Sequence, residues 1–267
     1  MRTYKEHYEK SREVSNVAPD LKSEYPSLYE LSVDEKLLDT NEKYYDLIRK
    51  ISEKIAQKLD SEPDSCYDTE FATYVDKWHD VVEISDLANL IMPQIESKVF
   101  HSNLKIEYVM PYRNKKTDSN LTASWLWHYD DCPPEYLKLA ICLNETTEKN
   151  GCFQHIRSNG RAVVLPSSRF SPGGPGQQFF PGSRVPEGYV KRLLEHNGQI
   201  SSLIGPQGTY ALFTPNVIHR ATIPQDSLNA RVALFFFIRP TLKKEEFINE
   251  TTKSITSTSD VKRYKLD

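Results

Sequence analysis

One segment of the sequence reads Trp125-Leu126-Trp127-His128-Tyr129-Asp130-Asp131, and a second, much later, reads Phe213-Thr214-Pro215-Asn216-Val217-Ile218-His219. Residues i and i+2 of a β-strand point to the same face of the sheet. We therefore expect His128 and Asp130 to project together into whatever their strand encloses. An imidazole from a distant strand would complete the two-histidine, one-carboxylate triad that binds non-haem Fe(II) and leaves coordination positions open. The segments predict that His128, Asp130 and His219 are metal ligands and catalytic residues.

The pattern after Lys98 predicts the strands that such a triad needs. Leu104, Ile106, Tyr108 and Met110 alternate with polar residues, which is typical of a half-buried strand. Further strands are predicted at Tyr136 to Leu143, Arg161 to Leu165, Gly208 to Phe213 and Ala230 to Ile238. One helix interrupts them near Glu187 to His196, with Gly198 as its left-handed stop. Many short strands separated by turns favour an antiparallel sandwich or barrel, with a double-sheet jelly roll as the leading candidate.

The first third of the chain has helical periodicity instead. A helix is predicted from Asn41, with Asp39 or Thr40 as N-cap, and it should end at Ser61-Glu62-Pro63-Asp64. Apolar residues at helical spacing predict two more helices, one from Phe71, Tyr74, Val75 and Trp78, and one from Ile84, Leu87, Leu90 and Ile91 with an interruption near Pro93. Amphipathic helices need a surface to pack against. A chain with helices first and strands afterwards fits a helical layer that packs on one sheet.

These patterns predict one domain that is mainly β with flanking helices. Residues 1–98 form an N-terminal helical layer on the barrel, residues 99–240 form the catalytic core, and residues 241–267 form a polar tail. The loop 166–186 is rich in Gly and Pro, and we interpret it as a lid because long irregular loops in compact domains are commonly functional.

Composition excludes several classes of protein. The 267 residues are 38% hydrophobic and carry a formal net charge of -3, which gives no sign of a nucleic-acid partner. No apolar run approaches the ~20 residues of a membrane span, and the N-terminus lacks the apolar stretch of a secretory signal. The four cysteines form no CxxC motif, so we expect free thiols and a cytoplasmic protein. The oligomeric state is not predicted.

Arg231 is the next candidate, twelve residues beyond His219 on an apolar segment. A buried guanidinium without a partner is costly, so it needs an anion. Alternation places Arg231 on one face with Ala233 and Phe235, and the small Ala233 leaves room for a ligand. A dicarboxylate such as 2-oxoglutarate fits this demand, since one end would chelate the metal and the other would take the guanidinium fork. An internal Arg–carboxylate pair is the alternative.

Four segments resemble the iron(II)/2-oxoglutarate-dependent dioxygenases, and within them the phytanoyl-CoA dioxygenase-like branch. They are Trp127 to Asp131, Leu137 to Asn144, Asn150 to Phe153, and Gly208 to Phe213 running into His219 and Arg231. The resemblance implies a double-stranded β-helix (jelly-roll, cupin-like) core, Fe(II) held by His128, Asp130 and His219, and 2-oxoglutarate held by Arg231. It implies O₂ as the oxidant and hydroxylation of an unactivated C–H of a small-molecule substrate, with conversion of 2-oxoglutarate to succinate and CO₂.

Other pocket residues are predicted from their position. Tyr108 and Lys138 are candidates for co-substrate binding, and Lys138 could meet a carboxylate. Arg113, Asp131 and Phe179 are candidates for substrate binding. Arginines near the lid suggest an anionic substrate: Arg161, Arg169 and Arg184. Strand parity predicts that Trp125 and Trp127 both pack in the core.

Two features of the sequence bear on the reaction. Many relatives carry Pro-Gly-Ser-His where this chain reads Ile156-Arg157-Ser158-Asn159-Gly160-Arg161, so no substrate is carried over. Asp130 is retained, which favours hydroxylation over halogenation. A cupin-like metalloenzyme that does not use 2-oxoglutarate and a non-catalytic jelly-roll binding module stay open as alternatives, since one fold hosts many functions.

Overall fold

The computed structural model describes residues 33–100, 103–117, 123–132, 136–166 and 180–240. Within these ranges the chain forms three α-helices: α1 (Glu42–Ser61), α2 (Glu83–Ile95) and α3 (Glu187–Glu195). The strands are β1 (Val33–Asp34), β2 (Cys66–Asp68), β3 (Ala72–Val75), β4 (Leu104–Asn114), β5 (Leu137–Cys142), β6 (Phe153–Ser158), β7 (Arg161–Ala162), β8 (Gly198–Leu203), β9 (Tyr210–Phe213), β10 (His219–Ala221) and β11 (Val232–Pro240). Most of the predicted lid, together with Phe179, Arg169 and residues 241–267, lies outside the described residues.

The strands form two antiparallel sheets. The large sheet has the order β1-β9-β5-β11-β4-β3-β2. In the small sheet β6 pairs with β10, β7 and β8, and an isolated bridge joins His128 to His219 beside β10. This is the mainly β, jelly-roll architecture that the sequence predicts. Among the described residues, no helix is long and apolar enough to cross a membrane.

The large sheet is buried on both faces, and the two faces carry different residues. On one face, large aliphatic side chains of β5, β9 and β11 form one core cluster with α1 and α2, and Leu139, Leu234 and Ile51 belong to it. On the other face, the same strands place small residues, Ala140 and Ala233 among them, towards the small sheet. Alternation along a strand sends neighbouring residues to opposite faces. The pattern gives a filled helix side and a barrel side with room for a cavity.

Helix α1 confirms the predicted amphipathic helix with a small change at its start. Its N-cap is Asn41, whose side chain accepts a hydrogen bond from the Tyr44 N–H, rather than Asp39 or Thr40. It ends at Ser61, before Pro63, as predicted. Helix α2 continues through Pro93 to Ile95, because a proline in the last turn removes only one backbone donor.

The predicted second helix, from Phe71 to Trp78, is wrong. This region forms the hairpin of β2 and β3 and then a short 3₁₀ turn, Trp78–Asp80. Strand β3 pairs with β4, and its Tyr74 lies on the barrel side while Val75 packs on the helix side. Apolar residues three and four apart also fit a strand followed by a turn. Pairing with the edge of the large sheet therefore overrides the helical spacing.

A β-bulge changes the faces of β4. Across the pair of β4 and β11, Phe237 lies opposite Tyr108 but Ile238 lies opposite Ile106, so one residue of β4 is extra. Before the bulge, Leu104 and Ile106 face the helices. After it, Tyr112 lies on the barrel side and Asn114 reaches Arg231. The single alternation predicted from Leu104 to Met110 is therefore wrong after Ile106.

The predicted stop of α3 is shifted by one residue. Asn197, with φ 64°, adopts the left-handed conformation, and Gly198 begins β8. A Cβ on Gly198 would meet the Leu193 carbonyl oxygen at 2.3 Å, so glycine is needed there for close approach. Of the predicted strand at Arg161 to Leu165, only Arg161–Ala162 is regular, and Val164 bridges to Val217.

Truncation of a buried α1 residue tests the packing of the helices on the large sheet. Ile51→Ala should lower the free energy of unfolding by about 2–5 kcal/mol, because Ile51 is 0% exposed. The same change at Ile200, which is 41% exposed on β8, should cost less than about 1 kcal/mol. Urea unfolding of both variants measures the difference, and equal losses would contradict this packing.

Candidate metal centre

Backbone pairing brings the predicted triad together. The His128 N–H donates to the His219 carbonyl at 2.9 Å, and the His219 N–H donates back to the His128 carbonyl at 2.8 Å. Directly paired residues of antiparallel strands point to the same face, and the two imidazole centroids lie 4.2 Å apart. Asp130 completes the group, with Oδ1 3.8 Å from His128 Nε2 and Oδ2 3.7 Å from His219 Nε2. One ligand atom from each residue lies within 4.8 Å of the others.

Hydrogen bonds orient both imidazoles. His128 Nδ1 lies 2.8 Å from the Leu126 carbonyl oxygen, and His219 Nδ1 lies 2.7 Å from the Val217 carbonyl oxygen. A carbonyl can only accept, so each Nδ1 carries the proton and each Nε2 presents a lone pair. Metal-binding histidines use this arrangement to fix the tautomer and the ring direction.

Asn216 connects the Asp130 side of the triad to the His219 side. The Asp130 N–H donates to the Pro215 carbonyl at 3.0 Å. Asn216, which is 0% exposed, accepts from the Cys132 N–H through Oδ1 at 3.0 Å and donates to the Cys132 carbonyl through Nδ2 at 2.8 Å. The only signal in the sequence is a polar amide directly before the apolar Val217 and Ile218, and its partner could not be identified without the fold.

The electrostatics keep the triad in the protonation states that metal ligands require. Burial lowers the pKa of His219 to about 3, with His128 contributing, and burial also lowers the pKa of His128. Burial alone would raise the pKa of Asp130, but the charges of Lys138 and the two imidazoles outweigh it and lower this pKa to about 2. At neutral pH the imidazoles are therefore neutral and the carboxylate is ionised.

The donor set fits a mid-row divalent metal ion. Two imidazole nitrogens and one carboxylate suit Fe, Mn, Co or Zn, and three protein ligands on one side leave the other side open. Asp130 Oδ2 is buried, and the Lys138 ammonium lies 2.6 Å from it. An ionised carboxylate has about four lone-pair positions, so this one ion pair leaves others that a metal ion would use.

Arg231 lines the same cavity as the triad. Its side chain is 2% exposed, and Nη2 donates to the Tyr112 hydroxyl at 3.0 Å and approaches Asn114 Oδ1 at 3.5 Å. Nε and Nη1 are buried without an acceptor, and among the described residues no carboxylate lies within 4 Å. The internal ion pair that the sequence left open is therefore absent from the described part of the chain. A guanidinium buried in this way needs an anionic ligand.

Asn144 and Asn150 of the neighbouring loop hold the Arg231 backbone in place. Asn144 accepts from the Val232 N–H and donates to the Ala230 carbonyl, so its amide spans Arg231. The Arg231 N–H donates to the Asn150 carbonyl at 2.6 Å. Asn114 donates to the Gly151 carbonyl, and a Cβ on Gly151 would meet Asn114 Nδ2 at 2.5 Å. The sequence predicted Arg231, but it did not predict these supports.

Lys138 reaches the triad from the barrel side of β5. Its ammonium lies 2.6 Å from Asp130 Oδ2 and 4.4 Å above the Phe237 ring. The carboxylate that the sequence suggested as a partner of Lys138 is thus a residue of the triad. Tyr108 stacks on Phe237 with a centroid distance of 3.8 Å, and it is not among the residues that line the cavity.

The structure does not bring the remaining described candidates to the cavity. The Arg113 guanidinium pairs with Asp60 of α1 at 2.6 Å. Asp131 follows the triad residue in a left-handed conformation with φ 53° and does not line the cavity. Trp127 packs in the core with Tyr129 as expected. Trp125 instead lines the cavity, because Ala123–Trp125 is a 3₁₀ turn and strand parity does not apply there.

His155 is a further buried imidazole beside the triad. It lies directly opposite His219 in the pair of β6 and β10, and its Nδ1 is buried without a hydrogen-bond partner. Burial, with the charge of Arg157, lowers its pKa to about 4. No motif in the sequence points to His155.

Comparison with known proteins supports the fold. No protein-family model matches the sequence, and no curated protein matches it. The apo form of EctD from S. alaskensis matches with a TM-score of 0.53 and 15% identity, over 85% of this chain and 80% of that chain. The non-haem alpha-ketoglutarate-dependent epimerase SnoN from nogalamycin biosynthesis matches with a TM-score of 0.46 and 11% identity, over 78% and 77% of the two chains. HygX from Streptomyces hygroscopicus, with nickel, 2-oxoglutarate and hygromycin B bound, matches with a TM-score of 0.46 and 14% identity, over 80% and 84%. At this identity the EctD likeness shows the jelly-roll fold alone.

The buried histidines predict loss of stability in acid. The folded-state pKa values of His155 (about 4) and His219 (about 3) lie below the ordinary 6.5, so the unfolded chain binds protons that the folded chain does not. The free energy of unfolding should therefore fall as the pH drops below 6.5, by up to about 1.4 kcal/mol per pH unit for each histidine. Unfolding curves measured without metal between pH 7 and the pKa of about 4 should show a shallower slope for His155→Leu. The same substitution at the exposed His196 serves as the matched control, and an unaltered slope in His155→Leu would contradict the assignment.

Proposed function

We propose that the protein is an Fe(II)/2-oxoglutarate-dependent dioxygenase of the phytanoyl-CoA dioxygenase-like branch. The single observation that carries this proposal is the Arg231 guanidinium, buried and without a carboxylate among the described residues, in the same cavity as the His128, Asp130 and His219 triad. One cavity thus combines a site for a divalent metal with a site for an anion.

A dicarboxylic keto acid meets both demands at once. Its keto acid end can chelate the metal at the positions that the triad leaves open, and its distal carboxylate can accept the unused donors of Arg231. Tyr112 and Asn114 hold the guanidinium from one side only. A cupin-like metalloenzyme without this co-substrate leaves the buried Arg231 unexplained, and a non-catalytic binding module leaves the metal triad unexplained.

The proposed reaction is hydroxylation of a C–H bond. One oxygen atom of O₂ enters the substrate as a hydroxyl group, the other enters succinate, and the C1 carboxylate of 2-oxoglutarate leaves as CO₂. The bound metal supplies activation of O₂. The chain holds the metal through the triad and orients the co-substrate through Arg231. Aromatic side chains, Phe153 and Phe235 among them, form the apolar part of the cavity wall.

We propose a small-molecule substrate that carries a negative charge. Arg184 lies directly opposite His128 in the bridge, so its side chain starts from the same face as the imidazole, and its charge contributes to the lowered pKa of His128. Among the described residues Arg184 has no carboxylate within 4 Å. An exposed cation beside the metal site could hold an anionic group of the substrate near the reacting carbon.

Anaerobic titration of the purified protein with Fe(II) and 2-oxoglutarate tests the assignment. The keto acid bound to the iron should produce a weak visible charge-transfer band, as expected for enzymes of the family that the sequence resembles. The band should be absent in His219→Ala, because one of three ligands is lost. Iron binding without a band would instead support a metalloenzyme that does not use 2-oxoglutarate. If no iron bound, the assignment of the triad as a metal centre would be wrong.

Replacement of Arg231 separates the anion site from the metal site. Arg231→Leu should weaken 2-oxoglutarate binding by about tenfold or more, since a charge-assisted bidentate pair is lost, and Fe(II) binding should persist. Arg113→Leu is the matched control, because Arg113 lies on the paired strand, opposite Val232, and its guanidinium pairs with Asp60. Isothermal titration of both variants with 2-oxoglutarate gives the comparison. Equal affinities of the two variants for 2-oxoglutarate would mean that residues other than Arg231 bind its distal carboxylate.

A further inference from the structure

In the cavity, the Lys138 ammonium is bound to the same carboxylate that the metal ion would use. Lys138 is 8% exposed, and its ammonium lies 2.6 Å from Asp130 Oδ2. Phe237 covers it from another side, with the ring centroid 4.4 Å from Nζ. No second carboxylate of the described residues lies within 4 Å of this ammonium. Any divalent ion that Asp130 binds therefore meets a fixed positive charge on the same carboxylate.

The charge balance of the cavity is positive. Three charged side chains face it, the carboxylate of Asp130 against the cations Lys138 and Arg231. Only Lys138 is paired with that carboxylate. Arg220 also borders the cavity, but its guanidinium stacks on Trp127 and donates to Gln154 on the other face of β10. A divalent cation that enters alone raises an existing excess of positive charge, whereas a dianion lowers it.

Like charges in a partly buried site repel far more strongly than in water, because the effective dielectric constant is lower and screening by salt is weak. The repulsion between the ammonium and a metal ion disfavours binding of the metal alone. It is relieved when an anionic co-substrate binds beside both charges. Binding of either ligand therefore raises the affinity of the site for the other.

We propose that Lys138 couples metal binding to co-substrate binding: it weakens the affinity for the metal ion alone and makes the metal ion and the dianionic keto acid bind cooperatively. This inference rests on the proposed function, since it requires a metal ion at the triad and a dianion in the same cavity. It assigns Lys138 a role as a positioning and coupling residue, distinct from that of a metal ligand.

A purely structural role for Lys138 has the opposite consequence. If the ammonium only held Asp130 in place, its removal would let the carboxylate move and metal binding would become weaker. If the ammonium competes with the metal, its removal makes metal binding tighter. The sign of the change in affinity therefore separates the two roles.

The test is anaerobic calorimetric titration of Fe(II) into the full-length protein, with and without saturating 2-oxoglutarate. In Lys138→Gln, whose amide can still donate to Asp130, the dissociation constant for Fe(II) alone should fall by about tenfold or more. The ratio of the constants without and with 2-oxoglutarate should shrink by a similar factor, and what remains reports direct chelation. Titration of 2-oxoglutarate with and without Fe(II) should give the same ratio, because coupling is reciprocal.

Two further variants complete the design. Lys138→Met removes the donor as well as the charge, and it should also bind Fe(II) alone more tightly than the wild type. Lys54→Gln is the matched control, since Lys54 pairs with Glu83 at 2.7 Å on the helical layer and does not line the cavity. Melting with and without Fe(II) gives an independent readout that does not depend on activity. Fe(II) should raise the melting temperature of both Lys138 variants more than that of the wild type, because removal of the ammonium leaves a buried carboxylate uncompensated.

The outcomes distinguish this inference from the proposed function. Wild-type protein that binds Fe(II) and 2-oxoglutarate, with Lys138 variants that bind Fe(II) alone equally or more weakly, would overturn the coupling role and leave the proposed function standing. Wild-type protein that binds neither ligand would overturn both. Tighter binding of Fe(II) in the Lys54→Gln control as well would show a general effect of charge and would also overturn the role of Lys138.

Discussion

Two backbone hydrogen bonds between His128 and His219 hold the candidate site together. They join segments about 90 residues apart, and everything else in the centre follows from that pairing. The two imidazoles face the same way because their residues are directly opposite in an antiparallel bridge. Asp130 then reaches both rings because it is two residues further along the same segment. Asn216 keeps the loop after Asp130 against the segment that leads to His219.

The large sheet supplies the rigidity that such a short bridge lacks. Its helix side is filled by aliphatic residues from α1, α2 and the central strands, so β5 and β11 cannot shift without opening a cavity. Lys138 and Arg231 are carried by these strands or directly beside them. The cations are thus fixed by the best-packed part of the molecule. Small residues on the barrel side, such as Ala140 and Ala233, leave the space that the cations face.

Sequence patterns predicted the parts of the site that depend on local geometry. The period of two along a strand was enough to place His128 with Asp130, and Arg231 with Phe235. The fold class followed from short strands and turns. The patterns failed where the conformation or orientation of a residue depends on a pairing partner that is distant in the sequence. The face of Tyr112 depends on a bulge that is defined only by pairing with β11, and β3 is a strand because the edge of β4 is available to it. Asn144 and Asn216 are ordinary polar residues until the backbone groups that they bind are known.

The bulge in β4 also has a consequence for protein engineering. The extra residue shifts the alternation of the strand by one position. Ile106 therefore faces the helices, whereas Tyr112, after the bulge, faces the cavity. After the bulge, Met110, Tyr112 and Asn114 line the cavity, while Val109 lies in the helix-side cluster and Arg113 pairs with Asp60 of α1. Only the cavity-facing positions of this half can therefore be redesigned without disturbing the helical layer. A deletion that removed the extra residue would put both halves of the strand in one phase, so that either Ile106 or Tyr112 would point to the wrong face.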